Sequence, residues 1–176
     1  MTVWDAVRGK RAVRHFADRP IAPADLDRIV RAGTRAHSSK NQQRWAFVVV
    51  QDRERLVALS KAGPHAGHVA GAAAAVALVT PDPRSPGQPL SVTWDLGGAA
   101  AQMMLVAWEL GIGSCPATVY EQPLARALLG YPDDLWCEYI LSFGHPADPA
   151  KLTAPNRPGG RRPLEQVVFT ERWRER

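Results

Sequence analysis

The residues of this chain best suited to chemistry are cationic, and they fall into two groups far apart in sequence. Lys10, Arg11 and Arg14 crowd together in "KRAVRHF", and Arg161 and Arg162 follow a glycine pair in "GGRRPLEQVV". A guanidinium presents paired donors in a planar fork that matches phosphate oxygens, so two such groups could converge on one dianion. A solvated basic surface is the other reading, and spacing alone leaves both open. A third stretch, "HSSKNQQRW", sets Ser38, Ser39, Asn41, Gln42 and Gln43 directly before an apolar run. Buried amides and hydroxyls without partners cost roughly 1 to 3 kcal/mol each, so this is a solvated loop or a loop with something polar against it.

The fourth stretch is "GIGSCPATVY". Gly111 can end a helix at positive φ, and Gly113 and Ser114 are expected to leave backbone amides uncovered for a flat or anionic ligand. Cys115 has no recognisable His/Asp pattern beside it that would mark a nucleophile. His65 and His68, in "HAGH", are three apart, but no cysteine or carboxylate completes a metal set; solvated or capping histidines are expected. The sequence contains no GxGxxG after a strand, no GxxxxGK[ST] and no GxSxG. A dinucleotide fold, a P-loop and an α/β-hydrolase are thereby excluded.

These residues need a scaffold, and 176 residues suffice for one domain with a substantial core. The two cysteines show no CxxC spacing, the first residues show no apolar signal core, and the most apolar run is too short to span a bilayer. A reduced, cytoplasmic protein without a membrane segment is expected. The net charge of +5 is dispersed and carries no nucleic-acid-binding signature, so nucleic acid is not expected as a partner.

The pattern predicts a short amphipathic helix from Thr2, then a helix from Pro23 with Leu26, Ile29, Val30 and Gly33 on one face. A strand at 45–51, a charged helix after Asp52, and strands in "AAVALVT" and "CEYILSFG" follow. Strands separated by helices argue for a mixed sheet covered on both sides. "PDPRSPGQPLSV" is a Pro/Gly-rich loop and a candidate lid. "WDLGGAAAQMMLVAWELG" is apolar nearly all round, which predicts the centre of the core or a subunit interface.

In this order the segments resemble the nitroreductase-like family of FMN-dependent oxidoreductases. "KRAVRHF" is similar to that family's basic opening at Lys10, Arg11, Arg14 and Phe16, and "HSSKNQQRW" to its P-S-S-x-N-x-Q-P-W segment at Ser38, Ser39, Asn41, Gln43 and Trp45. "ELGIGSCPAT", "YILSFGHP" and "RRPLEQVV" complete the likeness over nearly the whole chain. The resemblance implies an α+β, three-layer fold with a central mixed, mainly antiparallel sheet flanked by helices, in an intertwined homodimer. It implies one domain over 1–176, with roughly 146–176 as an extension wrapping the dimer.

The resemblance further implies FMN in two clefts built from both chains. Lys10, Arg11, Arg14 and Arg161 would hold its phosphate, and Ala12 stands where the family carries a serine, so one hydroxyl contact is missing. Ser38, Ser39, Asn41 and Gln43 would meet the ribityl chain and ring edge, partly from the opposite subunit. Ser114, Cys115 and Pro116 would line the flavin through backbone groups. Electrons would pass from NAD(P)H through flavin N5 to a nitro, quinone or similar acceptor, with no catalytic side chain and no metal required. An FMN-dependent dehydrogenase or desaturase, a flavin-binding protein without turnover, and a deazaflavin in place of FMN remain alternatives.

Overall fold

A computed structural model describes residues 2–155 and 160–173. Four strands form one antiparallel sheet in the order β1-β2-β4-β3: β1 (Ala46–Val50), β2 (Ala74–Pro81), β3 (Gly113–Thr118) and β4 (Leu135–Gly144). Among the described residues, parallel pairing is confined to an isolated bridge between Ala12 and Ser114. The expected mixed character of the sheet reduces to that one bridge.

Alternation along the central strand builds two cores. Ala75, Ala77 and Val79 of β2 pack with Leu56, Leu59 and Ala125, which belong to α3 (Arg53–Leu59) and α5 (Gln122–Leu129). Ala74, Val76 and Leu78 face the other way, against Leu26 and Ile29 of α2 (Pro23–Thr34) and Leu96 and Met103 of α4 (Ser91–Glu109). Helices therefore cover both faces of the sheet, and every residue of β2 from Ala74 to Thr80 is buried. Such a strand shows no alternation of polarity, which is why it reads as a continuous apolar run.

Proline opens α2, as expected from its fixed φ. Gly33, the last residue but one of that helix, lets α4 come close: a Cβ there would overlap the Met103 side chain. One face of α4 is buried, and its other flank lines an apolar groove with Val3 and Ala6 of α1 (Val3–Gly9), through Leu105 and Val106. Within one protomer α4 is thus not enclosed on all sides.

Two elements depart from the sequence expectation. "GIGSCPATVY" is not a bare cap and turn: Gly111 does end α4 with φ of 73°, but Gly113–Thr118 continues as β3 along β4. The following helix α5 is short and closed by Gly130 in the left-handed conformation.

Candidate active site

After α1 the chain crosses the end of the sheet as an extended segment, and its register decides where the cations go. The Val13 amide donates to the Ser114 carbonyl (3.0 Å), the Ala17 amide to His145 (2.8 Å), and the Ala147 amide back to His15 (3.0 Å). Val13 lies over Gly113 and Phe16 over Gly144. A Cβ at either glycine would come within 2.7 to 2.8 Å of those side chains. Bare glycines at the ends of two strands therefore provide the seat, and the alternate residue Arg14 turns outward into a cleft.

The cleft has a volume of about 900 Å³ and is lined by Arg14, Phe16, His65, His68 and Pro116, among others. Lys10 is partly buried. Burial pushes its ammonium pKa below the usual lysine value; the Cys115 thiol acts against that shift, and the positive charge of Arg161, from the far end of the chain, adds to it. Lys10 and Arg14 both act to lower the Cys115 thiol pKa, so both charges lie near that stretch of β3. Among the described residues, no ion pair involves Lys10, Arg14 or Arg161. Like charges gathered without a carboxylate repel, and an anion between them would relieve that repulsion.

Arg11 behaves differently from its neighbours. Its Nε donates to the Ala154 carbonyl (2.8 Å), and one terminal nitrogen donates to the carbonyls of Arg8 (2.7 Å) and Lys10 (2.9 Å). It fastens the segment after β4 to the N-terminal segment, helped by Trp108, whose indole donates to Leu152 (3.0 Å). Ala12 is exposed and paired with Ser114 through the bridge.

Ser114 and Cys115 are 2% and 0% exposed, while Pro116 opens onto the cleft. The expectation that Gly113 and Ser114 leave open amides does not hold: both are buried in β3, and the N-terminal segment lies against them. Burial raises the Cys115 thiol pKa, although Arg14 and Lys10 act to lower it. A thiol so buried is a poor nucleophile.

The polar loop is folded on itself. Lys40, Asn41 and Gln43 have φ of 52°, 53° and 47°, a left-handed conformation that is costly for residues with a Cβ. The Ser38 hydroxyl accepts from the Gln43 amide (3.0 Å), the Asn41 carbonyl oxygen accepts from Gln43 Nε2 (3.0 Å), and buried Asp95 of α4 accepts from the Ser39 amide (2.9 Å). Ser39, Asn41 and Gln43 remain exposed. Strain of this kind persists where the surroundings over-determine it. None of the four loop residues lines the cleft with Arg14 and Pro116 within a single chain; the loop is bonded instead to α4.

Sequence reasoning missed His68. It was read as solvated or capping, yet its ring is only partly exposed, faces the cleft and bonds through Nδ1 to Ser142 Oγ (2.8 Å). The available signal was Ser142, a hydroxyl inside the otherwise apolar strand "YILSFG", which had to find a partner. Arg44 donates to Gln88 of the Pro/Gly-rich loop (3.2 Å), and Arg84 of that loop stacks 3.4 Å over the Trp136 ring. The candidate lid is thus tied down at both ends. Gly159, just before the second basic cluster, lies outside the described residues.

Fold and site together define a three-layer α+β protein with a cationic anchor and an open cleft at one end of an antiparallel sheet. The model of the Nitroreductase family matches residues 7–84 and 66–145. A protein of Archaeoglobus fulgidus, provisionally named NADH dehydrogenase/NAD(P)H nitroreductase, is 34% identical over 145 residues, covering 79% of this chain and 82% of its own. Among solved structures, the Bacillus subtilis oxidoreductase YcnD superposes with a TM-score of 0.87 at 25% identity, covering 99% of this chain and 76% of its own. An FMN-dependent nitroreductase of Clostridium difficile gives 0.80 at 24%, covering 95% and 98%. The chain belongs to the nitroreductase family and is an oxidoreductase. Among the described residues, no helix is long and apolar enough to cross a membrane.

Proposed function

We propose that this chain is an FMN-dependent oxidoreductase that takes electrons from NAD(P)H and delivers them to a nitro compound, a quinone or a similar conjugated acceptor. The observation that supports the reading is that Lys10 feels the charge of Arg161, from the opposite end of the sequence, and that Lys10 and Arg14 both act on Cys115, with no carboxylate paired to these three cations among the described residues. That donor set fits a phosphorylated ring cofactor, and the adjoining cleft of about 900 Å³ is within the usual range for small-molecule sites. FMN bound there would supply the hydride and electron chemistry.

The chain's own residues bind and orient. Lys10 and Arg161 take the phosphate, Arg14 reaches along the cleft, and Pro116 offers an apolar wall against which a flat ring can lie. Ser114 and Cys115 support that wall from inside β3, and Arg11 holds the anchor in register through Ala154. Ala12 offers no hydroxyl to the phosphate. Ser38, Ser39, Asn41 and Gln43 act on the cleft of a partner subunit, which accounts for a strained, outward-facing polar loop lying away from its own chain's cations. The assembly is therefore read as a homodimer; the start of the carboxyl-terminal extension, Ala147 to Ala154, lies against its own chain and not over the partner. A single cleft has to serve donor and acceptor in turn, so steady-state rates should give parallel double-reciprocal lines.

Purification without added cofactor tests the reading: a yellow protein that releases FMN on denaturation is expected. Lys10→Glu combined with Arg161→Glu should leave a folded, colourless protein. Charge-assisted bonds are each worth about 1.5 to 3 kcal/mol, so FMN affinity should fall by at least a hundredfold. Full retention of colour in that double variant would refute the phosphate assignment.

A further inference from the structure

His68 has no part in the binding roles assigned above, yet it faces the cleft beside Arg14 and Pro116. Its Nδ1 lies 2.8 Å from the Ser142 hydroxyl, and that hydroxyl, fully buried, donates to the Cys115 carbonyl at 3.1 Å. A hydroxyl has one hydrogen; with that hydrogen spent on Cys115, it can only accept from His68. Nδ1 therefore carries the N–H, which leaves Nε2 as the basic nitrogen.

Arg14 and His15 of the N-terminal segment and His65 of the same turn line the cleft with this ring, and of these Arg14 acts on it electrostatically. Burial holds the His68 imidazole pKa below its usual 6.5 and the positive charge of Arg14 adds to that effect, while the Pro116 carbonyl against the ring acts to raise it. The ring is thus kept neutral by a cost that an incoming anion could offset.

We propose that His68 is the proton-accepting group of the cleft: when a phosphorylated ring ligand fills the site, Nε2 takes up a proton from solvent and the new N–H holds the ligand. The proposal rests on the FMN reading above. One N–H bond forms, the proton leaves a buffer molecule, and no electrons move. Negative charge arriving beside Arg14 offsets that residue's repulsion of the imidazolium, and acceptor atoms on the heterocycle give the N–H a partner that compensates for burial. Folding and ligand binding are linked here in opposite senses. In the free protein a lowered histidine pKa contributes stability above pH 6.5 that is lost on acidification, whereas the bound form favours the proton.

Calorimetric titration of the apoprotein with FMN, in two buffers of different ionisation enthalpy, counts the protons. His68→Asn is the informative variant, because its amide can keep the bond to Ser142 and cannot titrate. At pH 6.5 the wild type should take up a measurable fraction of a proton per FMN more than the variant, and the difference should vanish at pH 8.5. The phosphate's own ionisation near pH 6 is common to both proteins and cancels in the comparison. The affinity advantage of the wild type should shrink over the same range, by about tenfold for each unit of pKa shift.

Equal proton counts in two proteins that both bind FMN would overturn the inference and leave the FMN reading intact. Failure of the wild type to bind FMN would overturn both. Should the variant not fold, nitrogen NMR of the wild-type rings decides: conversion of one Nδ1–H imidazole to imidazolium on adding FMN at pH 6.5 supports the proposal, and no conversion refutes it.

Discussion

Cationic residues that look equivalent in sequence are doing different work here. Lys10 and Arg14 stand in or beside the cleft without carboxylate partners, whereas Arg11, lying between them, is engaged with three backbone carbonyls. Spacing could not separate them, because a guanidinium satisfies carbonyls and phosphates with the same donors. Cysteine shows the same dependence on surroundings. Cys115 and Cys137 are both fully buried, and burial pushes the Cys137 thiol up to about 12 and raises that of Cys115. Both thiols should resist an aromatic disulfide reagent at pH 8 in the native protein and react at once after denaturation. Fast labelling of native Cys115 would show that β3 opens far more readily than its packing implies.

At the scale of elements, the site depends on how an extended segment without regular structure meets a sheet end. Val13 and Phe16 occupy space that only glycine leaves open at 113 and 144. Gly113→Ala puts a methyl group within 2.7 Å of a branched side chain that cannot swing away, so strain of about 1 to 3 kcal/mol is expected. The consequence should be double: a lower melting temperature and weaker FMN binding, because the displaced segment carries Lys10 and Arg14. Thermal melts with and without FMN check it, and unchanged FMN affinity at a lowered melting temperature would sever the link. The helices α2, α3 and α4 and strands β1, β2 and β4 were legible from periodicity and length. β3 was not, since "GSCPAT" combines small residues with a proline and its pairing partners run from Tyr139 to Gly144, far along the chain.

For the whole molecule, the exposed surface carries the argument for a second copy. Val3, Trp4 and Val7 on α1 are 79%, 67% and 53% exposed, and Leu164, Val168 and Trp173 near the carboxyl end are exposed as well. The groove between α1 and α4 is apolar, and the polar loop is remote from its own chain's cations. Large apolar side chains grouped in this way mark an interaction surface. If the partner is a second protomer, Trp4→Glu should lower the mass measured by light scattering from dimer to monomer. FMN should be lost along with the dimer, since each cleft would then lack the loop bearing Ser38 and Asn41. A monomer that retains FMN with native affinity would mean that one chain completes its own site.

The sequence alone determined the family likeness, the principal helices and strands, and the residue types available for an anion, because these follow from local pattern and motif order. Which cations face the cleft, the burial of Ser114 and Cys115 within β3, and the pairing of His68 with Ser142 were decided only by tertiary structure. The reason is geometric. Each depends on a contact between segments distant in the chain, where one residue's register over a glycine or a neighbouring strand selects which side chain turns outward, and no periodicity within either segment encodes that choice.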